Sequence, residues 1–237
     1  MIDIDDQGAI RVVTLDRPER RNALTSSGLE ALETAVADPP VPVVYLHGAG
    51  EAFSAGADLE SVGALADDAD ADVEAFVRRG QRTADAIETS PAVVVAGIDG
   101  AARGGGVELA AACDLRIATP GATFAEPGVT FGLFGAWGGT VRLPELVGLG
   151  DALDLSLSGR VVDSEEARRI GLVSRIVEEP RAVAEGIAEN DPAALEEVKA
   201  CLRDRGSKAE REDGEVAAFE TLVETHAETL RDLGGSS

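Results

Sequence analysis

Apolar and polar positions change period repeatedly along the first three-quarters of the chain, and each change marks a new element. Ala9-Ile-Arg-Val-Val-Thr-Leu15 alternates, is rich in β-branched residues, and predicts a strand. Asp16 to Asn22 is a turn carrying three arginines. Thr25 or Ser26 then caps a helix over residues 26–37, stopped by Pro39-Pro40. Val41 to Leu46 is a second strand. A loop at 47–51 leads to Phe53-Ser-Ala-Gly-Ala-Asp-Leu59, and the small, acidic stretch 63–72 is expected to be a loop before a helix at 72–89. Val93 to Ile98, bounded by Pro91 and Gly100, is apolar throughout and predicts a buried strand. Gly104-Gly-Gly106 turns it into Val107-Glu-Leu-Ala-Ala-Ala-Cys113, a helix former apolar nearly all round. Short strands follow at 115–118 and 122–125, then a glycine- and aromatic-rich loop at 128–139 and the start of a helix at 140–147. Ser164 caps a helix over 165–170 that ends at Gly171, and 173–177 is the last strand. From Arg181 the pattern is helical, in three segments broken at Asn190-Asp191-Pro192 and near Gly206. Strands and helices alternate, then helices run alone, so the fold class is α/β, with a core over 1–180 and a helical region over 181–237.

Charge changes this picture. The formal net charge is −23, with 44 acidic against 21 basic residues, and Lys199 and Lys208 are the only lysines. The acids are dispersed rather than gathered in a tail, which is how a surface adapted to high salt is composed. Phosphate neutralisation needs basic residues, so nucleic acid is not expected as a partner. Cys113 and Cys201 lie far apart in apolar helical contexts and read as buried free thiols in a reducing, cytoplasmic compartment. No apolar run is long enough to span a membrane, and two histidines, His47 and His226, do not make a metal site.

Candidate chemistry centres on Glu108, a single carboxylate in the first turn of an otherwise apolar helix, where it is costly unless paired or used. A phosphate cradle is disfavoured because no Gly-Lys-Ser/Thr follows Gly106. Ala52-Phe-Ser-Ala-Gly56 approaches a nucleophile elbow, but its one downstream histidine, His226, sits among Thr and Glu residues on a terminal helix. The remaining reading joins two turns. Ala57 and Gly105 would each offer a backbone N–H to one anionic oxygen, with the helix dipole adding positive potential at Gly105. Glu108, one turn along, would be the acid/base beside that oxygen.

Val13 to Leu24, Phe53 to Leu59, Gly104-Gly-Gly-Val-Glu-Leu109 with Cys113-Asp114, Gly138-Gly-Thr-Val-Arg-Leu143 and Ala167 to Val173 together resemble the crotonase (enoyl-CoA hydratase/isomerase) superfamily. The resemblance implies a spiral of β-β-α turns, packing of C-terminal helices, a homotrimer or hexamer, and an acyl-CoA thioester substrate. Coenzyme A is then part of the substrate, and no separate cofactor is implied. It implies Ala57 and Gly105 as the oxyanion hole, Glu108 as the first of the hydratases' two glutamates, and Ala55, Asp58 and Leu59 as lining for the CoA moiety. Arg20 or Arg21 would meet CoA phosphates.

One position departs from that pattern. Counting back from Gly138-Gly139-Thr140, the second glutamate falls on Gly128, in Phe124-Ala-Glu-Pro-Gly128. Glu126 is two positions early, and two steps along an extended chain move a side chain about 6–7 Å, so it fills the site only if the turn is rearranged. Trp137 is either a packing aromatic or a wall narrowing the acyl pocket. The expected reaction is hydration of a 2-enoyl-CoA. The alternatives are isomerisation of a 3-enoyl-CoA by one glutamate, or acyl-CoA binding without turnover.

Overall fold

The computed structural model describes residues 1–67 and 72–235, and it resolves the α/β pattern into a spiral. In its three middle turns the spiral lays one strand in a large sheet, the next in a small sheet, and then one or two helices. The strands of the large sheet are β1 (Ile2–Gln7), β2 (Ile10–Leu15), β3 (Val43–Gly48), β5 (Val93–Ile98), β7 (Leu115–Ala118) and β10 (Arg175–Ile176), in the order β1-β2-β3-β5-β7-β10. The β1–β2 pair is antiparallel and the others are parallel. The small sheet takes β4 (Ala52–Ser54), β6 (Ala101–Arg103), β8 (Thr123–Ala125) and β9 (Val162–Asp163), in that order. The helices are α1 (Ser26–Ala37), α2 (Leu59–Asp67), α3 (Val73–Thr89), α4 (Gly105–Ala112), α5 (Gly139–Ser158), α6 (Ser164–Arg169) and α7 (Pro180–Ala188).

Register explains which sheet face is core. Val13, Leu46 and Ala96 are aligned across β2, β3 and β5, and with Leu15, Val44, Val94 and Ile98 they join Leu29, Leu32 and Val36 of α1 and Ile87 of α3 in one buried cluster. All six residues of β5 are buried, as its unbroken apolar run requires. Asp114, at the turn out of α4, accepts from the Val94 N–H at 2.8 Å, and its own N–H donates to the Val94 carbonyl. That clasp ties the end of the glycine-led helix to the central strand.

Several elements differ from expectation. β1 was not expected: Ile2-Asp-Ile-Asp5 alternates, but one residue of the strand is half-buried and five are exposed, so the alternation marks no buried face. α2 covers 63–67 of the loop expected at 63–72, and 68–71 lies outside the described residues. α5 runs through Pro144 and past Gly148 to Ser158, with Gly148 at φ 78 marking the kink between its two halves.

The chain divides into two compact units, Met1–Ala188 and Glu189–Ser237. The first ends beyond the boundary expected at 180 because α7 packs against β2, β3 and β5 of the large sheet. The second unit holds α8 (Pro192–Arg203), α9 (Lys208–Thr225) and α10 (Ala227–Gly235). Within it Asp191 caps α8 and also meets His226 at 3.1 Å. Cys113 is buried, Cys201 is half-buried where burial was expected, and neither is in a disulfide. No helix among the described residues is long and apolar enough to cross a membrane.

Candidate active site

The first unit contains a cavity of about 1140 Å³ whose lining includes Ala55, Ala57, Asp58, Leu59, Arg21, Gly105, Glu108, Glu126, Gly128 and Trp137. Residues drawn from five separate stretches of sequence therefore meet at one place. Asn22 holds the first wall in place from behind. It is fully enclosed, with φ 56, and its amide donates to the carbonyls of Ala49 and Ala52 while its oxygen accepts from the Arg17 N–H. Ser54 Oγ donates to the Asn22 carbonyl and accepts from the Gly56 N–H at 3.1 Å. The Ser54 hydroxyl is thus buried and committed to the turn, which removes it as a nucleophile.

The turn ends in the two amides of interest. Leu24 N–H donates to the Gly56 carbonyl and Asp58 N–H to the Leu24 carbonyl, leaving the Ala57 N–H directed away from that ladder. Gly105 is the first residue of α4, so its N–H has no intrahelical acceptor. Among the described residues nothing accepts from either group. Gly56, at φ 82, brings the turns together: a methyl group there would stand 2.6 Å from the Gly105 nitrogen and 2.7 Å from the Arg103 carbonyl oxygen. Gly104, at φ 48 and ψ −120, makes the corresponding bend into α4, a conformation open to glycine.

Glu108 is 1 % exposed. Its Oε1 accepts from the N–H of Trp137 at 2.9 Å and of Gly139 at 2.7 Å. Burial drives its carboxyl up to about 7, while those two donors and the nearby Arg142 guanidinium pull it back. Gly135 and Gly139 leave the space it occupies, since a methyl at either would meet the carboxyl group at 2.7 Å. Arg142 bridges Asp85 and Glu88 of α3, each at 2.7 Å, and so pins the start of α5 that supplies the Gly139 donor. Sequence reasoning did not single out Asn22 or Arg142, although both lie inside quoted motifs; their work is done by contacts that spacing alone does not reveal.

Glu126 is also buried, at 6 % exposure, and its Oε1 has no hydrogen-bond partner. Burial, reinforced by the charge of Glu108, pushes its carboxyl up to about 8. The indole of Trp137 lies between Gly80 of α3 and Gly105, packed so closely on both that neither position has room for a methyl, and it meets Phe76 with ring centroids 6.1 Å apart. Trp137 is both a packing aromatic and a cavity wall.

The other expected residues line the cavity in different ways. Asp58 gives its carboxylate to Arg17 at 2.6 Å and to the Ser61 N–H, and both the backbone bond and the arginine hold it below the usual carboxylate range. Its role on this geometry is to fix the turn and cap α2. Arg20 pairs with Glu60 at 2.9 Å, whereas Arg21, at φ 52, is exposed at the cavity's edge.

The sequence profile of the Enoyl-CoA hydratase/isomerase family matches residues 5–231. This chain belongs to that family. It is 36% identical over 183 residues to the Crotonyl-CoA hydratase of Syntrophomonas wolfei, covering 74% of this chain and 68% of that one. It is 35% identical over 203 residues to the Short-chain-enoyl-CoA hydratase of Clostridium acetobutylicum, covering 81% and 77%. In three dimensions it is similar to the crystal structure of an enoyl-CoA hydratase from Bacillus anthracis, with a TM-score of 0.89 and 32% identity over 99% of this chain and 96% of that one. The mixed α/β spiral with its helical C-terminal region is the fold of that structure.

Within this family member, position 128 is closed to a carboxylate. A Cβ on Gly128 would lie 2.8 Å from the Phe134 Cα and 3.1 Å from the Leu133 carbonyl carbon and oxygen, because Leu133 N–H folds back onto the Gly128 carbonyl at 2.9 Å. Gly128→Glu is therefore expected to lower the melting temperature and to leave hydration unimproved, with displaced backbone costing about 1–3 kcal/mol. Thermal melts beside a crotonyl-CoA assay check this; a folded variant with higher kcat would contradict it.

Proposed function

We propose that this protein adds water to a 2-enoyl-CoA thioester, with Ala57 and Gly105 holding the thioester oxygen and Glu108 acting as acid/base. The observation that carries this reading is the meeting of two unaccepted backbone N–H groups with a buried, ionisable glutamate in one cavity. Charge that develops on the thioester oxygen as an enolate forms would meet fixed dipoles that need no reorganisation at the moment of reaction. The names of the hydratase relatives support the same reaction. Coenzyme A enters as part of the substrate, with Ala55, Leu59 and Arg21 along its path.

The test is loss of the enoyl-thioester absorbance of crotonyl-CoA. Turnover supports hydration. Binding without turnover, followed by conversion of a 3-enoyl-CoA, would replace it with isomerisation; binding with neither would leave an acyl-CoA carrier.

A trimer or hexamer is part of the proposal, supported by the exposed Leu149, Leu153 and Leu157, which repeat at helical spacing along the second half of α5. So is a cytoplasmic, salt-rich setting, supported by two cysteines that form no disulfide and by the net charge of −23. Sedimentation and activity are expected to give an active oligomer in molar KCl and dissociation with lost activity in dilute buffer. Full activity and an intact oligomer in dilute buffer would sink the salt-adapted reading.

A further inference from the structure

We propose that Glu126 is the second catalytic carboxylate of this site, doing the work for which Gly128 has no side chain. The assignment rests on the hydration reading above. It begins with strand pairing. β8 lies beside β6 with Arg103 opposite Ala125, and the Gly104 N–H donates to the Ala125 carbonyl at 3.0 Å. The residue after Ala125 is thereby held next to the turn that opens α4, where Gly105 and Glu108 sit. Pro127 then starts a single 3-10 turn, Pro127–Phe131, that takes the chain out of the extended conformation. The displacement expected for a straight strand does not apply, because the chain bends immediately after Glu126.

The second observation is the side chain itself. Glu126 lines the same cavity as Glu108, it is more than nine-tenths buried, and one of its oxygens has no partner in the protein. A buried polar oxygen left unmatched forfeits the hydrogen bonds it had in water, so its persistence in a cavity wall marks a group that meets a ligand. The third is the closure of position 128 by the backbone of residues 133–134.

The two carboxyls also differ in the way the reaction requires. Glu108 accepts two backbone N–H bonds and feels Arg142, so it is the one that ionises. Glu126 has neither aid and faces the Glu108 charge, so it keeps the proton at neutral pH. Water gives a proton to the Glu108 carboxylate as its oxygen bonds to C3 of the enoyl thioester. The C2–C3 π electrons move into the enolate held by Ala57 and Gly105, and the Glu126 carboxyl gives its proton to C2 as the carbonyl re-forms. Transfer of the proton from Glu108 back to Glu126 restores the pair, and the net change is one water added.

The experiment is the pH dependence of kcat and KM for crotonyl-CoA hydration by wild type, Glu126→Gln and Glu126→Asp, with a thermal melt at each pH. Wild type is expected to show a bell between an acid limb near the Glu108 value and an alkaline limb near that of Glu126, both belonging to the coupled pair. Glu126→Gln, with nearly the same shape, is expected to lose roughly 100-fold or more in kcat with little change in KM and to lose the alkaline limb. Activity within a few-fold of wild type, or a lost rate with the alkaline limb intact, overturns the assignment while leaving the hydration reading in place. If the Gln variant does not melt cooperatively, Glu126→Asp decides. Withdrawing the proton by one carbon is expected to keep the limb and lower kcat by at least ~10-fold, and an unchanged kcat overturns the proposal. Absence of turnover by the wild type overturns the hydration reading, and this assignment with it.

Discussion

Glu108→Gln is expected to lower kcat for crotonyl-CoA hydration by about 10³-fold or more, the larger part of what a positioned general base contributes. The substitution is nearly isosteric, and the amide oxygen can still accept from the Trp137 and Gly139 N–H groups that the carboxylate now engages. The architecture should therefore survive while the proton acceptor is lost, and KM should change little. Stability supplies an independent sign. The Glu108 carboxyl is raised in the folded protein to about 7 from 4.5, so the stability tied to its protonated form is full below the unfolded value and is lost as pH rises through the folded one. A neutral glutamine has no such loss. Above pH 7 the variant is expected to be no less stable than wild type, and more stable by up to ~3 kcal/mol if burial alone sets the shift. A variant that is inactive and melts lower at pH 8 would mean that Glu108 serves structure rather than proton transfer. Retained turnover would remove it from the mechanism.

Gly56→Ala is expected to have the next largest effect, through atoms that never touch the substrate. At φ 82 the added methyl group is strained, and it would sit 2.6 Å from the Gly105 nitrogen and 2.7 Å from the Arg103 carbonyl oxygen. Both neighbours are backbone, so the Ser54–Asp58 turn and the start of α4 must move apart. The Ala57 and Gly105 N–H groups then no longer converge on one oxygen. Removing one such donor costs about 10²–10³ in kcat, and a loss of that size is expected here. The Asn22, Ser54 and Arg17 contacts that hold the turn from outside remain, so the protein should still fold. Separate measurement of kcat and of butyryl-CoA affinity checks this. An unchanged kcat would show that the two amides are not the oxyanion site.

The sequence by itself determined the parts of this protein whose causes are local. Residues 93–98 are apolar throughout because β5 is buried on both faces, and 10–15 admits Arg11 and Thr14 because β2 is only half-buried at those two positions. Thr25 caps α1 because its hydroxyl accepts from the Gly28 N–H, and a glycine opens α4 because the backbone of Gly104 restricts which residue can occupy it. Glu108 was legible for the same reason: a charge inside an apolar helix has no bland local explanation. Elements that bury little were missed. β1 exposes nearly all of its side chains, and α2, with Gly63 and small residues, has no buried side chain over 59–65 to set it apart from a loop.

Only the tertiary structure decided what meets across the cavity. Trp137 packs between Gly80 and Gly105, three positions with no relation in sequence spacing. Arg142 reaches two acids of α3 from the start of α5, and its field helps Glu108 ionise. Position 128, which counting along the chain selects for a second carboxylate, is shut by backbone from residues 133–134. Glu126, which counting rejects, is carried to the cavity by the β6–β8 pairing and the bend at Pro127. Counting assumes a straight path, and a single hydrogen-bonded turn is enough to change which side chain arrives.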